Sequence, residues 1–177
     1  MDRRTLLTGG TFLVTAALTQ DAHARSERVA ATQADAELMQ LAIDQAKEGD
    51  YPFGAIIVRD GKVLALGNNS TKRLHDPTAH AEMMAIRNFL SGHEPEELKQ
   101  TTIYASGEPC PMCMGAIIWC GFERLVYAAS IDQLATKIGQ IDVSSRRIAN
   151  AAPFIDIGIT GGVLSGNAMQ LFDTDKK

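Results

Sequence analysis

The chain predicts an α/β protein, a three-layer α/β/α sandwich around a mixed five-stranded sheet. Three observations carry that expectation. Short β-rich runs alternate with helical patterns along most of the sequence. The first two runs are joined by Asp60-Gly61, a two-residue hairpin signal. The later runs are separated by helix-length segments, and strand–helix–strand crossovers off one sheet need helices on both of its faces.

Residues 1–24 read differently from the rest. Asp2-Arg3-Arg4-Thr5-Leu6-Leu7 is a twin-arginine start, Thr8 to Leu18 is mildly apolar, and Ala22-His23-Ala24 has the form of an A-x-A cleavage site. The segment resembles a Tat (twin-arginine) export signal, so it implies a precursor handled by the Tat machinery and a periplasmic product. An uncleaved membrane anchor and an over-extended start codon remain as alternatives, the second leaving the protein cytoplasmic. Residues 25–177 then form a single domain, long enough to bury a catalytic core without disulfide staples.

The elements of that domain follow in order. Asp35 to Glu48 has Leu38, Leu41, Ala42 and Ala46 at helical spacing, and Gly49-Asp50 stops it. Phe53 to Val58 and Lys62 to Leu66 are the hairpin strands. Asn68 to Ala79, with Asp76-Pro77, is a loop that delivers the chain to His80. From His80 a helix is expected with Met84, Ala85, Phe89 and Leu90 as its apolar face. Thr101 to Ala105 and Arg124 to Ala129 read as strands flanking a helix that Pro111 opens as its first residue. Ile155 to Thr160 is the fifth strand and Asn167 to Phe172 a short terminal helix.

Chemistry concentrates in two of these places. His80-Ala81-Glu82 and Pro109-Cys110-Pro111-Met112-Cys113 supply three metal-ligand side chains and one carboxylate left over. A closed structural zinc site uses four Cys or His ligands, whereas His80, Cys110 and Cys113 leave a fourth tetrahedral position for water, as catalytic zinc does. H-x-E followed by P-C-x-x-C is the pattern of zinc deaminases acting on amino-substituted nucleobase rings, with one Zn²⁺ per chain and the glutamate as general acid and base. Glu82 could instead be a solvated first-turn glutamate that complements the helix dipole. Residues two apart on a regular helix point to opposite sides, so His80 and Glu82 can meet only if His80 sits at the very start of the helix. Cys120 lies seven residues beyond Cys113, roughly 10 Å along a helix axis, too far to share the ion, and reads as a small apolar residue. His75 is either a group supporting the site or a solvated loop histidine.

Composition bounds the partners. Hydrophobic residues make up 45% of the chain, which is globular, and a net charge of −4 with a pI near 5.5 gives no basic field to hold nucleic acid or anionic lipid. Adjacent cations occur in pairs, among them Arg146-Arg147 and Lys176-Lys177, and never in a longer run. An exported enzyme would also not meet tRNA. The expected partner is therefore a small-molecule nucleobase.

From Pro52 to about Ser130 the chain resembles the cytidine deaminase-like superfamily, and within it the branch of bacterial guanine deaminases and tRNA adenosine deaminases. Pro52-Phe53-Gly54-Ala55, Asn69, Asp76-Pro77-Thr78-Ala79-His80-Ala81-Glu82 and Glu108 through Ile117 carry the resemblance. It implies the fold, a zinc-activated hydroxide as nucleophile, and a homodimer in which a neighbouring subunit helps close the pocket. It also implies that Asn69 and the backbone at Ala81 read the base. Phe53 and Trp119 are similar to the aromatics with which guanine deaminases hold a purine, although both also fit ordinary core packing. Asp142, in Gly139-Gln140-Ile141-Asp142, is similar to an aspartate that contacts substrate in those enzymes. Guanine, giving xanthine and ammonia, is the substrate so implied. The alternatives are tRNA adenosine, cytosine or another aminoheterocycle, and, in another class, a zinc-stabilised protein that binds a base without turning it over.

Overall fold

The structure is a computed structural model that describes residues 26–173, so the expected signal segment lies outside the described residues. Its strands are β1 (Ser26–Arg28), β2 (Gly54–Arg59), β3 (Lys62–Asn68), β4 (Thr102–Gly107), β5 (Arg124–Ala129) and β6 (Ile157–Gly161). The helices are α1 (Gln33–Ala46), α2 (Ala81–Leu90), α3 (Pro111–Cys120), α4 (Ile131–Ala135), α5 (Ser145–Asn150) and α6 (Ser165–Met169), with 3₁₀ turns at Pro95–Gln100 and Gln170–Phe172.

The strands form one sheet in the order β1-β6-β5-β4-β2-β3. β2 runs antiparallel to both β3 and β4, while β4, β5, β6 and β1 are mutually parallel. The five expected strands are all present. The sixth, β1, is a three-residue edge strand that the sequence reading left out, because Ser26-Glu27-Arg28 has no apolar alternation and pairs through its backbone with Ile157–Ile159. At the hairpin, Asp60 and Gly61 both take positive φ, 50° and 73°, the geometry that suits the twist of a two-residue turn.

Both faces of the sheet are covered. Along β2 the residues alternate: Ala55 and Ile57 join Phe89, Met114, Ile117 and Leu125 on one side, while Ile56 and Val58 join Met39, Ile43 and Val126 on the other. That is why β2 is apolar without a break, a strand buried on two faces. The helices turn slightly from the expected faces. α1 buries Met39, Ala42, Ile43 and Ala46, with Leu41 exposed, and α2 buries Ala85, Ile86 and Phe89, with Leu90 exposed.

Buried Asp35 locks the layer of α1 to the sheet. Its carboxylate accepts both guanidinium nitrogens of Arg124 (2.9 Å each), the Tyr104 hydroxyl (2.8 Å) and the Thr32 amide (2.7 Å). Burial alone would raise its pKa, but these donors outweigh that and hold the carboxyl at about 2.

Two close approaches set the depth of the helices. A Cβ on Gly67 would collide with the Ala81 carbonyl and the Ala85 amide, and one on Gly54 with the Ala42 carbonyl and the Ala46 amide. Only glycine lets α2 and α1 lie this near β3 and β2. β3 and β4 run in the same direction, so α2 and α3 both begin at the same end of the sheet. That end carries the chemistry-bearing residues, as open α/β sheets place their ligands.

Candidate active site

His80 and Cys110 are the N-cap residues of α2 and α3, both with extended backbone (ψ 160° and 166°). Because His80 stands outside the helix, its side chain and that of Glu82 can converge although only one residue separates them. Pro111 occupies the first turn of α3, where a missing N–H costs nothing, and Cys113 lies in the same turn.

His80 Nδ1 is 3.7 Å from the sulfur of Cys110 and 3.7 Å from that of Cys113, and the three donor atoms lie within 4.8 Å of one another. Bond lengths of about 2.05 Å for Zn–N and 2.3 Å for Zn–S at a tetrahedral angle put nitrogen and sulfur about 3.6 Å apart. The donor set thus fits a zinc ion in both chemistry and spacing, with three protein ligands. The hydrogen bond from Cys113 brings the Cys110 thiol down to about 4, against its burial and helped by His80, while the same bond and burial push Cys113 up. The bond to Cys110 also raises His80.

Glu82 is buried beside this cluster. Burial pushes its carboxyl up to about 7, partly offset by a hydrogen bond from its own backbone, and the Cys113 thiol also reaches it. A carboxyl poised near neutrality can both take and return a proton.

Above the donors opens a cavity of about 560 Å³, lined by His80, Cys110 and Glu82 at its base and by Phe53, Asn69 and Thr71 on one side. Phe53 sits at the start of β2, edge-on to Phe172 at 5.4 Å. Tyr51 stands at the rim, with the Lys72 ammonium 4.5 Å from its ring centre. A further wall is the run Ile138–Ile141 together with Glu108. Both oxygens of Glu108 are engaged, accepting the amides of Ile131 (3.0 Å) and Ser145 (2.8 Å). Those amides bracket the wall segment, so this carboxylate ties it to the loop that carries Cys110.

His80, Glu82, Cys110, Cys113, Asn69 and Phe53 are therefore brought together, and three other expected site residues are not. Trp119 is 80% exposed and stacks on Phe154 at 5.0 Å, away from the cavity lining. α3 is apolar on every side, and its pattern does not say which side faces the sheet. Ala81 is buried under Gly67 and does not line the cavity. Asp142 is exposed, one residue past the wall. His75 is an exposed loop residue outside the cavity lining. The sequence reading missed Tyr51, Thr71 and the role of Glu108. Only Thr71 left a local signal, since a hydroxyl residue two after an asparagine is the pattern of a side-chain-capped turn.

A family described as the cytidine and deoxycytidylate deaminase zinc-binding region matches residues 32–129. The guanine deaminase of Bacillus subtilis is 47% identical over 78 residues, 44% of this chain and 50% of that protein, so the chain spans half the length of that relative. A tRNA-specific adenosine deaminase of Haemophilus influenzae is 32% identical over 79% of this chain and 82% of its own. The solved structure of guanine deaminase from Nitrosomonas europaea is 25% identical, with a TM-score of 0.69 over 82% of this chain and 85% of that one. A family match across more than half of the sequence, over the stretch that holds all three zinc donors and Glu82, makes this chain a member of the cytidine and deoxycytidylate deaminase zinc-binding family.

Proposed function

We propose that the chain is a zinc-dependent hydrolytic deaminase of a free nucleobase, and that guanine, converted to xanthine and ammonia, is its substrate. The observation that carries this is the cavity wall. It offers aromatic and apolar surface to a flat ring and the Glu82 carboxyl, and among the described residues no lysine or arginine lines it, the Lys72 ammonium lying against the Tyr51 ring. A nucleic acid whose loop nucleotide is flipped into such a pocket needs cationic walls along its phosphates. The likeness to two guanine deaminases supports the same substrate.

Zinc held by His80, Cys110 and Cys113 would supply Lewis acidity, bringing the ionisation of water toward neutral pH. Glu82 takes the proton of the attacking water and hands it to the ring nitrogen beside the amino-bearing carbon. It then takes the second proton, from the hydroxyl now on that carbon, and gives it to the departing amine, which leaves as ammonia while the carbonyl forms, so one carboxyl acts as base and afterwards as acid. Phe53 offers its ring for stacking, and Asn69 a polar contact at the base's edge. A site that only bound a base would have no use for Glu82 held near neutrality beside the donors.

A second reading, tRNA adenosine as substrate, is favoured by the breadth of the Haemophilus match. Ammonia release from guanine, adenine, cytosine and their nucleosides, run beside an inosine assay on tRNA, decides between them. Guanine turned over fastest supports the proposal, and inosine in tRNA without base turnover overturns it.

Assembly and compartment belong to the same proposal. Exposed Trp119 of apolar α3, with exposed Phe154 stacked on it, supports a homodimer. Arg3-Arg4 and Ala22-His23-Ala24 support export to the periplasm by the Tat route. Replacing both arginines with lysine should hold the precursor in the cytoplasm, and an unchanged periplasmic yield would reject export.

A further inference from the structure

We propose that Thr71 is a positioning residue that fixes Asn69 as a hydrogen-bond donor, so that the cavity selects amino-substituted heterocycles presenting an acceptor to it. The acceptor is a carbonyl oxygen or an unprotonated ring nitrogen. This deepens the deaminase reading and rests on it.

Asn69 is only 4% exposed, and its polar atoms can be accounted for one by one. Its backbone N–H donates to the Phe53 carbonyl at 3.0 Å, and its own carbonyl accepts the Asp50 amide at 2.8 Å and Arg73 Nη2 at 3.4 Å. The side-chain Oδ1 accepts twice from Thr71, from the backbone N–H at 3.2 Å and from the hydroxyl at 2.9 Å. Two donors occupy both lone pairs of that oxygen. The Nδ2 group makes no hydrogen bond, yet no fully buried side-chain nitrogen or oxygen among the described residues lacks a partner. Nδ2 is therefore reachable, and the space Asn69 lines is the cavity. Turning the amide over would set its NH₂ against the Thr71 backbone N–H and lose that bond, while the Thr71 hydroxyl, able to donate or accept, holds the side chain in place, so the orientation is held from behind. Guanine carries acceptors at O6, N3 and N7 to meet it.

The test compares steady-state kinetics of zinc-loaded wild type, Thr71→Val and Thr71→Ser on guanine, with thermal melts of each. Valine keeps the shape and the backbone donor but removes the hydroxyl. It should raise KM about 5- to 10-fold, with kcat within about twofold, because the interaction it loosens is equal in ground and transition states. Serine should restore KM to within about twofold of wild type. A purely structural threonine would lower the melting temperature and leave KM alone. An unchanged KM in folded Thr71→Val, or a Thr71→Ser enzyme as impaired as Thr71→Val, overturns the assignment. If wild type deaminates adenine or cytosine instead, the same ratios are read on that base, so the guanine reading can fail while this one stands. Turnover of none of the three overturns both.

Discussion

At the scale of single residues, the proposed mechanism separates holding a metal from moving a proton. Cys110 and His80 give a zinc ion two of its three protein bonds from opposite helix starts, so Cys110→Ala or His80→Ala should lose metal and turnover together. Metal analysis checks this: about one zinc per chain in wild type, against stoichiometric zinc in the Cys110/Cys113 double mutant if the ligands have been misassigned. Glu82 predicts the opposite pattern. Glu82→Gln keeps the volume and leaves the donors in place, so zinc content should stay while turnover falls by about 10² to 10⁴, the usual share of general acid–base catalysis. Near wild-type turnover in that variant would remove Glu82 from the mechanism. The zinc donor set was legible in the sequence because ligand chemistry depends on residue type and spacing. The placement of His80 outside α2 was legible only as a condition, since the H-x-E spacing works solely for a residue that precedes the helix.

Elements decide how accurately those residues meet. α2 is pressed onto β3 through Gly67, and α2 carries both Glu82 and, at its cap, His80. Gly67→Ala should push α2 outward, lowering stability by about 1 to 3 kcal/mol, as overpacking of a close-packed core does, and reducing kcat as well. Urea melts alongside kinetics check both, and a fully stable, fully active Gly67→Ala enzyme would show that the approach is not needed. The strands were readable as short β-rich runs and from the Asp60-Gly61 turn. The wall at Ile138–Ile141 was not, because it has no periodicity of its own and takes its place from Glu108, 23 residues before Ile131 and 37 before Ser145. The side of α3 that carries Trp119 was not readable for a related reason: a helix apolar all round gives no moment from which a face can be read.

For the molecule as a whole, one network and one surface remain to be tested. Asp35 joins α1 to β4 and β5, and its carboxyl, held at about 2, lies below the ordinary unfolded value near 3.9. The sign follows: the folded state binds fewer protons, so this contribution, roughly 2 to 3 kcal/mol, is complete above pH 4 and disappears as the pH falls toward 2. Asp35→Asn should be less stable at pH 7 and should lose that part of the acid slope in melts between pH 5 and pH 2. The surface is the exposed side of α3. Met112 and Trp119, with Phe154 stacked on the indole, form an apolar face beside the helix whose first turn holds the cysteines. Burying a tryptophan between two copies would remove its large apolar area from water, whereas an aspartate there would have to be desolvated. Trp119→Asp should therefore convert a dimer to monomers in light scattering with zinc content unchanged. A drop in turnover on dissociation would mean that the second copy helps shape the cavity, and an unaltered dimer would move the interface to another face.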